Sequence, residues 1–142
     1  MGDHVLKTTA SIAKTSLRQT DFACRYGGEE FAMIFTSNTA DAVAICCDRI
    51  RLKIESEVFE FRGHRFTVTA SFGLADHQGK MSAADLLESA DNALYMAKTA
   101  GRNRIVIERD NGLSEWPDRV GRRCLDEAND LRPLGARAFV GC

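Results

Sequence analysis

The chain opens with apolar residues at helical spacing. Val5, Leu6, Ile12 and Ala13 fall on roughly one face between Gly2 and Leu17, which predicts a helix. Phe22 to Tyr26 and Phe31 to Phe35 are short apolar runs separated by Gly27-Gly28. A Gly-Gly between two such runs predicts a β-hairpin, because tight turns need positive φ. From about Thr39 to Glu55 the helical period returns, with Ala40, Val43, Ala44, Cys47, Ile50 and Ile54 on one stripe. Asn38 is the expected N-cap, and Asp41 suits the positive end of that helix dipole. Phe59 and Phe61 begin a second hairpin that turns at Arg62-Gly63-His64. Its return strand alternates Phe66, Val68, Ala70 and Phe72 against Thr67, Thr69 and Ser71. Residues 73–80 read as a loop. Ser82 is the next N-cap, with Asp85 completing an approximate capping box. That helix runs to about Ala100 with Leu86, Leu87, Ala90, Ala93, Leu94 and Ala97 inward, and Gly101 stops it. Arg104 to Ile107 closes the pattern as a strand.

The order is helix, hairpin, helix, hairpin, helix, strand. It predicts an α+β fold in which an antiparallel-rich central sheet is flanked by helices. The patterned region, residues 1–107, is read as one domain. Beyond it, Asp110-Asn111-Gly112 is a turn, and Pro117 and Pro133 interrupt the remaining stretch. Residues 108–142 are therefore expected to form an irregular C-terminal tail, with a short helix around Arg119 to Leu131.

Bulk composition narrows the function classes. The 142 residues carry a net charge of −1, and 44% are hydrophobic. A general nucleic-acid binder would carry a basic excess, so no nucleic-acid polymer is expected as a partner. Recognition of a phosphate-rich ligand must come from a few placed Lys and Arg. No run of about 18 apolar residues occurs, so no membrane segment is expected. The N-terminal residues lack a signal-peptide pattern. The five cysteines, at 24, 46, 47, 124 and 142, form no C-x-x-C pair. They read as reduced thiols in a cytoplasmic protein.

The segment richest in chemistry is Arg25-Tyr26-Gly27-Gly28-Glu29-Glu30-Phe31. Two glycines at a hairpin tip let phosphates or a ribose approach the backbone. Consecutive carboxylates on a strand point to opposite faces, so one can face a ligand while the other does a second job. Beside a nucleotide triphosphate, a carboxylate holds Mg²⁺ or accepts the proton of an attacking hydroxyl. Taken alone, the same residues also describe a surface hairpin with solvated glutamates. Lys98 and Arg102 stand about one helical turn apart and can reach one triphosphate. As cations at a helix C-terminus they would also simply complement its dipole.

This signature resembles that of GGDEF domains, the catalytic domains of diguanylate cyclases, which also occurs with Glu at the third position. Ser71-Phe72-Gly73 is similar to the family's S-x-G strand end. Ala90 to Lys98 with Gly101-Arg102-Asn103 is similar to its late helix and A-K-x-x-G-R-N ending. Three blocks in order make the resemblance specific, and it covers about Gly2 to Ile107. It implies a fold like the palm of polymerases and class III nucleotidyl cyclases. It also implies a bacterial signalling enzyme whose two facing subunits each bind GTP with Mg²⁺ (or Mn²⁺). Each 3′-hydroxyl attacks the other's α-phosphate, giving cyclic di-GMP and pyrophosphate. By the same resemblance, Glu29 is a metal ligand or general base, and Glu30 assists with a metal or structural role. Gly27 and Gly28 lie against the nucleotide, Lys98 and Arg102 meet its phosphates, and Asp3 contacts the guanine edge. Asp3 is equally readable as an N-cap. Arg18-Gln19-Thr20-Asp21 resembles the R-x-x-D of an inhibitory product site, with Arg49 as a secondary arginine. Its residues suit cyclic di-GMP, because guanidinium pairs bidentately with phosphate and Asp accepts from guanine N–H groups. R-x-x-D also describes an exposed turn with an ion pair.

The chain departs from the family at its start. The family's domain opens with a helix and a strand carrying a Mg²⁺-binding Asp, then a Phe-Lys pair and an Asn that reads guanine. Nothing before Met1-Gly2-Asp3 supplies them. The expectation is a truncated domain that lacks its first helix and strand, has an exposed sheet edge there and holds Mg²⁺ weakly. Two functions compete: a diguanylate cyclase, and a non-catalytic cyclic di-GMP receptor using Arg18, Asp21 and Arg49.

Overall fold

In a computed structural model of the protein, residues 2–36, 39–76 and 81–116 are described in full, and residues 136–141 by their backbone. The chain first forms a helix, α1 (Gly2–Ser16). The hairpin expected around Gly27-Gly28 comes next, as β1 (Phe22–Gly27) and β2 (Glu30–Phe35). Their antiparallel register pairs Phe22 with Ile34 and Cys24 with Ala32, and shifts between Arg25 and Gly27. Helix α2 (Ala40–Ser56) buries the predicted stripe of Ala40, Val43, Ala44, Cys47, Ile50 and Ile54. Its N-cap is Thr39, whose side chain accepts from the Ala42 N–H. The expected cap Asn38 lies outside the described residues.

The second hairpin is a separate two-stranded sheet, β3 (Phe59–Phe61) with β4 (His64–Phe66). Phe59 stacks on Phe66 at 5.6 Å, and the edge of His4 meets Phe59 at 6.0 Å. The hairpin thus spends its aromatic face on itself and on the start of α1. The return strand predicted as one alternating run is split, and residues 67–70 connect β4 to β5 (Ser71–Asp76). The loop expected over 73–80 is corrected as far as Asp76, because β5 continues to that residue; residues 77–80 lie outside the described residues. Ser71 to Ala75 are all buried. A strand covered on both faces shows no alternation, so its end could not be read from polarity.

Helix α3 (Ala83–Thr99) has the expected start. Ser82 accepts from Asp85 N–H while the Asp85 side chain accepts from Ser82 N–H, a complete capping box. Strand β6 (Ile105–Arg109) runs parallel to β5, and β7 (Gly112–Trp116) returns antiparallel to β6. Strand β8 (Ala136–Gly141) inserts antiparallel between β2 and β5. The six-stranded order is β1-β2-β8-β5-β6-β7. The irregular tail expected from residue 108 is therefore corrected at two places: Gly112–Trp116 and Ala136–Gly141 are strands. The turn signal at 110–112 makes a hairpin with β6, and a short apolar run can be a strand without alternating. The helix expected around Arg119 to Leu131 lies outside the described residues. Among the described residues the edges of the sheet fall at β1 and β7, and β8 pairs along both β2 and β5.

One face of the sheet carries the main core. Phe31, Met33, Phe35, Phe72, Leu74, Ile105 and Ile107 pack there with α2 and with Ala13 of α1. On the other face α3 packs Leu86, Ala90 and Leu94 against Ala32 and Ala75, and Ala93 and Ala97 against Val106. The α+β architecture expected from the sequence is thus present, with helices on both faces of a mostly antiparallel sheet. Gly73 lets α3 settle on β5, since a Cβ there would collide with Ala90 O and Leu94 N of the helix backbone. Among the described residues no helix is long and apolar enough to cross a membrane.

Candidate functional site

The hairpin tip is built by Gly28, at φ +43°, and by Arg25, whose Nε and Nη2 donate to Gly28 O at 2.9 and 2.6 Å. Nothing lies within 4 Å of where a Cβ would sit at Gly27 or Gly28. A ligand can therefore approach this backbone freely. Glu29 is exposed beside the tip and Glu30 is half-buried at the first position of β2. Lys98, in the last turn of α3, sends Nζ to within 3.0 Å of Glu30 Oε1. The fold thus joins two sequence-predicted residues that are 68 positions apart.

Arg102 comes just after the end of α3. It is exposed and stands at φ +62°, between Gly101 at +116° and Asn103 at +48°. Among the described residues its guanidinium has no ion-pair partner. Lys98 and Arg102 thus border the same end of α3, with Glu30 across from Lys98.

Asp3 is in the first turn of α1, inside the helix, so the N-cap reading of it is corrected. Its carboxylate pairs with Lys7 at 2.8 Å, and the hydrogen bond from Lys7 holds its carboxyl below the usual range. Asp3 and Arg25 line a cavity of about 710 Å³ between α1 and β1, with Leu6, Leu17, Phe22 and Phe31 as apolar walls. Arg18 and Asp21 line the same cavity.

Arg18, Asp21 and Arg49 meet in a second, smaller cavity of about 150 Å³, closed by Ser16, Phe35 and Cys46. Asp21 makes backbone contacts: Oδ2 accepts from Arg18 N–H at 3.0 Å and Oδ1 from Thr36 N–H at 3.2 Å. These bonds fix the α1–β1 turn against the end of β2. The ion pair considered for this turn does not occur among the described residues. Cys46 belongs to this cavity although no motif marks it in the sequence. It stands three residues before Arg49 on α2, a spacing that shares a helix face. Its thiol donates to Ser16 O at 3.5 Å, and burial pushes its pKa up although Arg49 and Arg18 oppose the shift.

Glu29 and Glu30 are the carboxylates next to the open tip. Among the described residues no cluster of three or more His, Cys, Asp or Glu could by itself hold a metal ion. Two carboxylates suit a hard cation that keeps several waters and shares a substrate's phosphate oxygens. They do not make an all-protein cage. Cys24, Cys46 and Cys47 are free thiols, while Cys124 and Cys142 lie outside the described residues.

Residues 1–104 match the family described as diguanylate cyclase, GGDEF domain. The chain is 38% identical over 111 residues to diguanylate cyclase A of Treponema denticola, covering 78% of this chain and 30% of that protein. It is 38% identical over 106 residues to diguanylate cyclase DgcP of Pseudomonas aeruginosa, covering 75% of this chain and 16% of that one. The chain thus spans about a third or less of these curated relatives. Its fold is similar to the GGDEF domain of DgcB from Caulobacter crescentus in complex with c-di-GMP, at 37% identity and TM-score 0.72, covering 74% and 63% of the two chains. It is also similar to the active GGEEF domain of a diguanylate cyclase from Vibrio cholerae, at 29% identity and TM-score 0.66, covering 75% and 68%.

Proposed function

Because this chain belongs to the GGDEF family of diguanylate cyclases, we propose that it condenses two GTP into cyclic di-GMP with release of pyrophosphate, as a homodimer in the bacterial cytoplasm. The single observation that carries the reading is the junction of the open Gly27-Gly28 tip with Glu30 and Lys98. Two backbone positions without side-chain bulk lead directly into Glu29 and Glu30, and Lys98 pairs with Glu30.

In this reading the nucleotide lies against Gly27 and Gly28, with its guanine edge toward Asp3. Lys98 and Arg102 receive the triphosphate, where charge accumulates as the α-phosphate is attacked. Glu29 and Glu30 would hold Mg²⁺ or Mn²⁺, which supplies Lewis-acid neutralisation of the phosphate oxygens. Glu29, exposed at the tip, is also within the region where a 3′-hydroxyl from a facing subunit would give up its proton. The protein's contribution is otherwise positioning, which converts an encounter of two nucleotides into a reaction of fixed geometry.

The second cavity supports regulation by product. Arg18 and Arg49 present two guanidinium groups beside the Asp21 carboxylate, a set suited to the phosphates and guanine of cyclic di-GMP. The same cavity favours a second reading, a receptor that binds cyclic di-GMP without turnover.

Incubation with GTP and Mg²⁺, read by mass spectrometry, tests both. Cyclic di-GMP formed by the chain and abolished in Glu29→Ala supports the cyclase. A folded chain that makes none, yet binds cyclic di-GMP through Arg18, is a receptor. Arg18→Ala then separates them further, since a cyclase gains net product by losing feedback and a receptor loses its ligand.

A further inference from the structure

Residues 101–103 hold three consecutive left-handed backbone conformations, at φ +116°, +62° and +48°. Glycine accepts this at no steric cost, but Arg102 does not, and such residues persist only where their surroundings over-determine them. The surroundings here are specific. Arg102 N–H donates to Ala97 O at 3.0 Å, and Arg104 Nε donates to Arg102 O at 3.0 Å. Both backbone polar groups of Arg102 are therefore taken.

Asn103 anchors the run. Its N–H donates to the buried Ser71 Oγ at 3.1 Å, at the first residue of β5. Its side chain is held at both ends: Nδ2 donates to Glu55 Oε1 at 2.9 Å, and Oδ1 accepts from Arg51 Nη1 at 2.8 Å. Only one orientation of the amide satisfies a carboxylate and a guanidinium together. Arg51 is itself fixed by Asp48 at 2.9 Å and Glu55 at 3.2 Å, and its side chain is only 16% exposed. The clamp thus ties the loop after α3 to the last turns of α2 and the start of β5. Asn also enters the left-handed region more readily than most residues, so the position needs both its backbone and its amide.

We infer that Asn103, gripped by Arg51 and Glu55, is a positioning residue for Arg102, fixing where that guanidinium meets the triphosphate of a bound nucleotide. The role rests on the nucleotide-binding reading of Arg102 given above. In this role Asn103, Arg51 and Glu55 act on the nucleotide only through Arg102. The clamp acts through the backbone by leaving the Arg102 side chain as the mobile part of an otherwise fixed residue. A cation whose base is fixed loses less freedom on meeting phosphate.

The test uses the full chain and a GTP analogue with a non-hydrolysable α,β-bridge, with Mg²⁺, in titration calorimetry. The variants are Asn103→Gly, Arg102→Ala and the two combined. The glycine substitution keeps the backbone conformation accessible while removing the amide. Each single variant is expected to weaken analogue binding about tenfold, the scale of one charge-assisted contact. The double variant is expected to bind no more weakly than Arg102→Ala alone. GMP, which lacks the outer phosphates, is expected to bind all variants alike. Glu55→Ala should weaken analogue binding in the same direction, and Glu55→Gln, which keeps the acceptor for Asn103 but sets an amide N–H₂ against Arg51 Nη1, should weaken it less. Losses that multiply in the double variant, or an unweakened Asn103→Gly, overturn the positioning role. Failure of the unsubstituted chain to bind the analogue overturns the nucleotide reading, and this role with it.

Discussion

Lys98 Nζ sits 3.0 Å from Glu30 Oε1, tying the last turn of α3 to the first residue of β2. The two side chains are 27% and 34% exposed, so solvent screens the pair. Solvent-accessible pairs contribute about 0–1 kcal/mol to stability, and this half-buried pair is still reached by water. The pair is therefore better explained by where it holds charge than by what it adds to folding. Lys98→Ala and Glu30→Gln, singly and together, should couple by less than about 1 kcal/mol in denaturant melts. Each should lower kcat/KM for cyclic di-GMP formation about 10²- to 10³-fold, as loss of a preorganised charged group does. Large stability losses with unchanged turnover would reverse this assignment.

Gly73 makes a different kind of contact. A Cβ at this position would reach 2.7 Å from Leu94 Cα, besides colliding with helix backbone at Ala90 and Leu94. Backbone cannot move aside as a side chain can, so α3 must lift from β5. Gly73→Ala should destabilise the protein by about 1–3 kcal/mol, read as a fall in denaturation midpoint. It should also reduce turnover, because α3 carries Lys98. An unchanged midpoint would mean that the helix has slack the packing does not suggest.

The serine, phenylalanine and glycine of residues 71–73 are legible in the sequence as a motif, but their physical purpose is not. Ser71 receives the Asn103 N–H and Gly73 admits α3, neither of which local sequence reveals. Legibility depends on periodicity or on local chemistry. The stripe of α2, the Ser82–Asp85 capping box and the glycine-tipped hairpin all announce themselves within a few residues. The extent of β5 does not, because burial on both faces removes alternation. Strand β8 does not either, since its pairing depends on β2 and β5, whose paired residues are 60 or more positions away in sequence. Of the candidate site, the sequence-predicted Glu30 and Lys98 come together, as do Arg18, Asp21 and Arg49. Cys46, Arg51 and Glu55 carry no motif, and the motif that includes Asn103 does not reveal that α2 grips its side chain.

The capping box gives a pH dependence of known sign. Hydrogen bonds from Ser82 side chain and backbone hold the Asp85 carboxyl below its ordinary value of 3.8. A carboxyl lowered on folding contributes stability above its unfolded pKa, and that contribution is lost as pH falls through the folded value. The window therefore lies below about pH 3.8. Asp85→Asn removes the titrating group. Melts of both proteins between about pH 5 and pH 2 should show the unsubstituted chain losing its advantage over Asp85→Asn as pH falls. A constant difference across that range would show that the carboxylate charge plays no part in the cap.

Strand β8 joins the two halves of the site. Its register pairs Ala138 with Met33 of β2 and with Leu74 of β5. Remove it, and the sheet divides into β1–β2, which carries Glu29 and Glu30, and β5–β6–β7, on which α3 carries Lys98. Proline lacks the N–H that a central strand must donate and is confined to edges and bulges in sheets. Ala138→Pro should therefore expose backbone amides of both neighbours. Hydrogen exchange is expected to accelerate in 31–35 and in 72–75 together, and cyclic di-GMP formation to fall with it. Ser114→Pro, in the edge strand β7, is the control. It disturbs pairing with β6 alone, so protection in β2 should persist. If Ala138→Pro leaves β2 and β5 protected, the two halves hold their alignment without β8. Glu30 and Lys98 would then owe their meeting to α3 and the core alone.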